Sequence, residues 1–344
     1  MIEFNKIKTY EIEFPLKDRD YYHDQIGKLL PEYNDFHLVH TCTAALEVAA
    51  LTIGIQEGDE IIMPSYTFVS TANAFALRGA NIIFCDVDSD MNIEIDEIEK
   101  LISNRTKAVV AVHYAGTSCD MNRLTELCNK QNIYLIEDAA QAIGSKYDGK
   151  ALGTYGDLSC ISFHETKNIH CYEGGMLIVN NPKLKGLVET IINEGTNRIA
   201  FREGLVTNYT WQSLGSSYNM DILRMAYLLE SLKDMESVLK RRREIVNMYQ
   251  SRLSGFKRPD HNGHLYFLLV KDRTDFIKYM NSYGIQCCSH YEPLHKSVGG
   301  QKFGEYHTMI GTENATHLVR LPVHVHLSDD DIEEIIKKVE EYNE

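Results

Sequence analysis

"DMNRLTELCNKQNIYLIEDAAQ", Asp120–Gln141, sets a helical pattern directly against a strand pattern and ends in polar residues. Its first half, "DMNRLTELCNKQ", reads as an amphipathic crossover helix. Its second half, "IYLIEDA", is short, apolar and bounded by turn residues, as a buried strand is. The alternation recurs from Ala44 to about Val179. "DEIIMP", "NIIFCDV", "AVVAVHY", "CISFH" and "GMLIVN" read as strands, and "TAALEVAALTIGI", "STANAFALRG" and "NIEIDEIEKLI" as helices. Strand and helix in turn predict an α/β fold with a mostly parallel sheet covered on both faces.

After about Leu205 the pattern becomes helical. "DILRMAYLLESLKDMESVLKRRREIVNMYQSRL" predicts one connecting helix or a pair. From His264, segments such as "HLYFLLV" and "SDDDIEEIIKKVEEY" predict a small α+β domain. The chain of 344 residues exceeds the usual single-core limit. The expected division is a large domain over 1–232 and a small C-terminal domain over 233–344, with the N-terminal segment available to pack on the small one.

Hydrophobic residues at 44% and charged residues at 24% fall in the ordinary folded range. A formal net charge of -14 works against a nucleic-acid partner, which needs clustered cations. The dense basic run Lys240–Arg243 reads as the solvated face of a helix. Eight cysteines occur without a C-x-x-C pair or a paired Cys/His spacing, so free thiols in a reducing compartment and no metal are expected. The N-terminal stretch lacks the apolar centre of a signal peptide, and no run approaches bilayer-spanning length. A cytoplasmic location without a membrane partner is the expectation.

Ligands of open α/β sheets bind beyond the carboxyl ends of the strands. Three clusters fall there: "HTCTAAL", "EDAAQ" and "SFHETKN". A lysine nucleophile, a buried carboxylate and a helix N-terminus for an anion are the set that pyridoxal phosphate requires. Lys167 would bond to its aldehyde, and Asp138 would favour a protonated ring nitrogen. The N–H groups of Thr43 and Ala44 would face the phosphate, with Ser162 adding a hydroxyl. Plainer roles stay open: Asp138 can cap a following helix, Thr41 or Thr43 can cap the helix after it, and Phe68 reads as a core aromatic.

In order, "TCTAALEVAAL", "PSYTFVSTANA", "VHYAG", "EDAAQ", "GKALGTYGD", "SFHETKN" and "EGG" resemble the DegT/DnrJ/StrS family of pyridoxal-phosphate sugar aminotransferases. The resemblance runs from about His40 to Leu232 and continues through "HYEPLH" and "RLPV". It implies the fold-type-I aminotransferase architecture, with Lys167 as the Schiff-base lysine and Asp138 as the ring-nitrogen partner. Gln141 matches the amide beside the ring hydroxyl and Phe68 the aromatic stacked on the ring. Thr43, Ala44 and Ser162 match the phosphate cradle. The family forms homodimers with shared sites, in which a "G-x-N" segment reaches the partner's phosphate. In "LGSSYNM", Ser217 stands where that asparagine is usual.

The resemblance further implies amino transfer from L-glutamate to a nucleotide-linked keto sugar for surface polysaccharide synthesis. It is nearest to members acting on dTDP-4-keto-6-deoxyglucose. His113, His290 and His295 are candidates for the sugar or its diphosphate, and Asn197 and Arg198 for the partner's site. A UDP- or 3-keto sugar is an alternative substrate, and a regulatory sensor of the same fold an alternative function. A nicotinamide enzyme is set aside for want of a G-x-G-x-x-G after a strand. Two stretches depart from the family pattern. The one before "HTCTAAL" is short and lacks a "G-x-x-x-x-x-F-E" loop, and "LSGFKRPDHNGH" is compressed.

Overall fold

A computed structural model of the chain describes residues 1–343. Its strands are β1 (Phe36–Val39), β2 (Glu60–Pro64), β3 (Asn81–Cys85), β4 (Thr106–Val112), β5 (Tyr134–Asp138), β6 (Lys146–Tyr147), β7 (Lys150–Ala151), β8 (Leu158–Ser162), β9 (Gly175–Val179), β10 (Tyr266–Leu269), β11 (Cys288–Ser289), β12 (Gly304–Tyr306) and β13 (Leu318–Leu321). Between them lie helices α1 (Arg19–Leu29), α2 (Cys42–Thr52), α3 (Val69–Ala76), α4 (Ile95–Leu101), α5 (Met121–Gln131), α6 (Lys185–Ile192), α7 (Arg198–Arg202), α8 (Ile222–Lys233), α9 (Met235–Arg252), α10 (Arg273–Ser282), α11 (Val298–Phe303), α12 (Ile310–Ala315) and α13 (Asp329–Asn343).

Eight strands form one sheet in the order β1-β9-β8-β5-β4-β2-β3-β12. Only β9 runs against the others. In β4, Val109 and Ala111 enter one apolar core while Ala108, Val110 and Val112 enter the other. That is the period-two pattern of a strand buried on both faces. Helices α1, α4, α5 and α8 cover the first face, and α2, α3 and α6 the second.

The long helical stretch is a pair, α8 and α9, broken at Asp234. Beyond it, β10, β13 and β11 form a small antiparallel sheet with its own core. The N-terminal segment lies on this part: Ile2 bridges Ile285, and the Phe4 N–H donates to Gln286 Oε1 at 3.1 Å. Three late residues, Gly304–Tyr306, return to the large sheet and pair with β3.

The basic run is only partly a solvated face: Lys240 is exposed, but its neighbours turn inward. Arg242 is buried and donates from Nε and Nη2 to the carbonyls of Gly263 and His264, at 2.9 and 2.7 Å. Arg243 gives Nη2 to Gly144 O at 3.2 Å, and Arg241 gives Nη2 to Leu327 O at 2.6 Å. Long guanidinium stems thus join α9 to the loops around it, using carbonyls as acceptors.

Candidate active site

The carboxyl ends of β2, β4, β5 and β8 deliver four of the sequence clusters to one edge of the sheet. Lys167 stands on the loop that turns β8 back into antiparallel β9. The Phe163 N–H donates to Gly174 O, the Glu165 N–H to Tyr172 O and the Lys167 N–H to His164 O, at 2.9, 2.8 and 2.9 Å. The next residue, Asn168, anchors the loop to the later part of the chain. Its Nδ2 donates to Asn262 O at 3.2 Å and its Oδ1 lies 3.1 Å from His264 Nδ1. Burial lowers the pKa of the Lys167 amine and the charge of Arg320 adds to that, while Cys42 and Asp138 oppose it.

Asp138, at the end of β5, is buried. Its Oδ2 accepts from Thr71 Oγ1 at 2.7 Å and its Oδ1 from the Ala140 N–H at 3.2 Å. No helix follows for it to cap, because residues 139–144 are turns. The carboxylate is held locally, with lone pairs left over for a further donor. Gln141 is buried three residues on. Its Oε1 takes the Ala115 N–H at 2.7 Å and its Nε2 donates to the Tyr291 hydroxyl at 3.1 Å. Ala115 and Tyr291 both adopt left-handed backbone, φ 58° and 63°, so one amide holds two strained residues in place. Phe68 is no core aromatic: it is 55% exposed, its ring centroid 6.2 Å from that of Tyr291.

The N-terminus of α2 completes the edge. Thr41 caps the helix by accepting the Ala44 N–H at 3.0 Å. Ala44 is buried, and its N–H is engaged with the Thr41 hydroxyl. The Cys42 and Thr43 N–H groups have no acceptor among the described residues. Thr43 Oγ1 lies 2.8 Å from Ser70 Oγ, so two hydroxyls flank those free donors. Ser162 is buried at the end of β8, where its Oγ accepts the His164 N–H at 3.3 Å. Gly175 in "EGG" makes the approach possible. A Cβ there would come within 2.5 Å of the Cys42 nitrogen.

An amine with depressed pKa, a positioned buried carboxylate and a helix start with free N–H donors share one strand edge. Residues 37–340 match the DegT/DnrJ/EryC1/StrS aminotransferase family. The chain belongs to that family. It is 32% identical over 327 residues to the spore coat polysaccharide biosynthesis protein SpsC of Bacillus subtilis, covering 88% of this chain and 83% of that one. It is 37% identical over 214 residues to the GDP-perosamine synthase of Escherichia coli O157:H7, covering 62% of this chain and 57% of that one. Among solved structures, the aminotransferase TlmJ from Streptoalloteichus hindustanus superposes with a TM-score of 0.88 at 27% identity, over 98% of both chains. This chain is thus a sugar aminotransferase with the fold-type-I architecture, and its cofactor is pyridoxal 5'-phosphate.

The histidine candidates separate once placed in the aminotransferase. His113 has no exposure; its Nε2 lies 3.0 Å from Glu137 Oε2 and its Nδ1 accepts the Cys119 N–H at 3.3 Å. Both nitrogens are used inside the protein, which removes it from substrate contact. His295 is 3% exposed, with Nδ1 2.7 Å from Ser65 Oγ and Nε2 3.6 Å from Glu313 Oε1. It braces the end of β2 through Nδ1, while Nε2 makes no hydrogen bond among the described residues. His290 joins an aromatic cluster instead: its Nδ1 lies 2.9 Å from the Tyr114 hydroxyl, and its ring stacks on Tyr291 at 3.7 Å. Burial, then the charges of Arg320 and Lys167, hold its pKa well below the usual value, so it is neutral.

Ser217, Asn197 and Arg198 lie elsewhere in this chain. Ser217 is exposed and bridges Asn193. Asn197 ties down its own loop through Asn208 O and the Thr210 N–H, at 2.9 and 2.8 Å, and Arg198 pairs with Glu194 at 3.4 Å. Sequence reading missed Tyr66, Tyr114, Tyr291 and Arg320. Each stands inside a quoted motif ("SYTF", "VHYAG", "HYEPLH", "RLPV") but was passed over for its neighbour. An aromatic next to a strand end is the signal that could have found the three tyrosines.

Proposed function

We propose that this aminotransferase moves an amino group from L-glutamate to the carbonyl carbon of a nucleotide-linked keto sugar, with dTDP-4-keto-6-deoxyglucose as the first candidate. The amine ends on the sugar, whose carbonyl oxygen leaves as water, and the donor becomes a 2-keto acid by taking its oxygen from water, giving an amino-deoxy sugar for surface polysaccharide synthesis. The observation that carries this reading is geometric: Lys167 follows β8, the buried Asp138 ends the neighbouring strand β5, and the free N–H donors of α2 lie at the same sheet edge. When bound, pyridoxal phosphate supplies an aldehyde that takes up the amine and a ring that draws electrons from the carbon being deprotonated.

The chain's own residues do the rest. Lys167, whose charge burial disfavours, takes the proton from the donor's α-carbon and returns one to the new amine-bearing carbon of the sugar, a contribution of about 10²–10⁴-fold. Asp138 holds the ring nitrogen in its protonated form, with Thr71 fixing the carboxylate. Gln141 orients the ring hydroxyl and Phe68 covers the ring face. Thr43, Ser162 and the Cys42 and Thr43 N–H groups hold the phosphate.

A homodimer supplies the remaining contacts, with Ser217, Asn197 and Arg198 directed to the second copy's site. Supporting this, Phe201, Leu205, Tyr209, Trp211 and Leu214 leave 43, 73, 52, 75 and 70% of their surface exposed around those residues. A cytoplasmic location fits free cysteines, and no helix among the described residues is long and apolar enough to cross a membrane.

The test has two parts. Borohydride reduction of the purified protein should fix the cofactor on the peptide carrying Lys167. A mass-read screen of dTDP-, GDP- and UDP-keto sugars with glutamate should give one amino sugar; GDP is included because of the name of the Escherichia coli relative. Cofactor fixed elsewhere, or no aminated product from any sugar, would end the reading.

A further inference from the structure

The compressed stretch before β10 ends in "HNGH", His261–His264, and its last residue meets the loop that carries Lys167. Asn262 has no exposure. Its Nδ2 donates to the carbonyls of Gln141 and Ile143 at 2.7 and 3.0 Å, and its Oδ1 accepts the His264 N–H at 2.9 Å. Arg242 Nη2 holds the His264 carbonyl at 2.7 Å. The backbone under the imidazole is thus fixed on both sides, and His264 as a whole is 3% exposed.

The partners decide which ring nitrogen carries the hydrogen. Asn168 Nδ2 faces the Asn262 carbonyl at 3.2 Å, and a carbonyl only accepts. Asn168 Oδ1 therefore faces His264 Nδ1, at 3.1 Å, and an amide oxygen also only accepts. The hydrogen must sit on Nδ1, which leaves Nε2 with a bare lone pair. That lone pair has no hydrogen-bond partner among the described residues, although buried acceptors normally find a donor. Burial, then the charges of Lys167, Arg320, Arg242 and His290, hold the ring's pKa well below its usual value, so it stays neutral. Lys167 heads those charges and precedes the asparagine that holds the ring. Its own amine makes no hydrogen bond or ion pair among the described residues, and the groups that act on it are Cys42, Asp138 and Arg320. An open donor and an open acceptor are therefore held as neighbours by Asn168.

We propose that His264 is a positioning residue for the lysine base: its Nε2 lone pair accepts an N–H of the Lys167 amine once that amine is free of the cofactor. This rests on the transaminase reading and names the group that aims its base. A neutral amine has two N–H donors and one lone pair. Tying one N–H to a fixed ring restricts the rotation of the amine and directs its lone pair at the donor's α-carbon. When the α C–H bond breaks, its electron pair goes to the cofactor ring and its proton to the lysine. The hydrogen bond to Nε2 becomes charge-assisted at that moment, so it is stronger after the transfer than before it.

Two substitutions separate the ring's nitrogens. His264→Asn keeps an N–H donor for Asn168 and deletes the acceptor at Nε2, whereas His264→Gln reaches an acceptor toward the Nε2 position. In the cofactor-free protein, acetic anhydride labelling of Lys167 against pH, read by mass on its peptide, should shift to lower pH by about one unit or more in His264→Asn. His264→Gln should recover part of that shift. In the loaded enzyme, the half-reaction with L-glutamate should slow about 10- to 100-fold in His264→Asn with the glutamate dissociation constant unchanged, and the isotope effect of α-deuterated glutamate should rise. An unmoved labelling profile in a folded His264→Asn would overturn the proposal, leaving the histidine a packing residue or, where a substrate KM rises instead, a substrate contact. Ring ¹⁵N spectra of the wild-type protein decide the matter independently of how the variants fold: a hydrogen on Nε2 would overturn it. A wild type that binds cofactor but reacts with no amino acid would remove the transaminase reading, and this role with it. A working wild type with an unmoved labelling profile in the variant removes only the role of His264.

Discussion

Thr71 Oγ1 donates to Asp138 Oδ2 across 2.7 Å, tying the first turns of α3 to the carboxylate at the end of β5. Thr71 lies next to Thr67, whose hydroxyl is 2.9 Å away. Thr71→Val keeps the shape and deletes the donor. The variant should lose about 1–3 kcal/mol of stability and release cofactor faster. Thermal unfolding with and without pyridoxal phosphate checks both effects, and a variant equal to wild type in both would show that the hydroxyl is dispensable.

Lys167 gives a prediction for the cofactor-free protein. Its folded pKa is lowered, first by burial, so the unfolded chain binds the proton more tightly than the folded one. Stability from this group is therefore reduced at neutral pH and rises as pH climbs through the window up to the unfolded lysine value. Lys167→Met should make the cofactor-free protein more stable than wild type at pH 7, with the gap shrinking toward pH 10. Denaturant titrations at the two pH values measure it. A gap that is constant with pH would assign the effect to packing instead.

Glu137 is the acceptor hub behind the site. It takes N–H groups from Gly153, Tyr155 and Gly156 at 2.8, 2.7 and 2.6 Å and the Ser159 hydroxyl at 3.0 Å, beside His113. Burial works against its charge, but His113 and the backbone donors outweigh that and hold its pKa below the usual range. The stability it provides is present at neutral pH and is lost as pH falls through the folded pKa. Glu137→Gln turns an amide toward those donors and should cost about 3–5 kcal/mol. Acid titration of unfolding should show a weaker pH dependence in the variant.

Gly175→Ala tests the approach of β9 to α2. The added methyl meets the Thr41–Cys42 peptide, so the helix start must shift, at about 1–3 kcal/mol for overpacking. Because the free N–H donors sit there, cofactor affinity should fall more than overall stability. Equilibrium dialysis of pyridoxal phosphate against the melting temperature separates the two. Equal losses in both would make the glycine a packing residue only.

The large sheet was legible because its strands are bounded by turn residues and alternate with helices. The placement of Lys167, Asp138 and Gln141 at the edge of the sheet was legible, because each is a polar residue just past an apolar run. The capping of Ala44 by Thr41 was not legible, because capping and anion binding use the same residues and only the 3.0 Å contact reveals the cap. His113 shows a related ambiguity: a histidine near a strand end looks alike whether it faces a pocket or, as here with Glu137, a buried carboxylate. Arg242 belongs to a run of four basic residues that charge alone sends to solvent, and its carbonyl partners lie about twenty residues away in the sequence. Contacts of that range leave no local pattern.

Gly304–Tyr306 pairs with β3 although the other seven strands of that sheet end by Val179. On a translating ribosome, β3 therefore waits with one side of its backbone unsatisfied while the intervening residues are made, on the order of ten seconds at ordinary elongation speeds. Through that interval the growing polypeptide offers a sticky template to its neighbours.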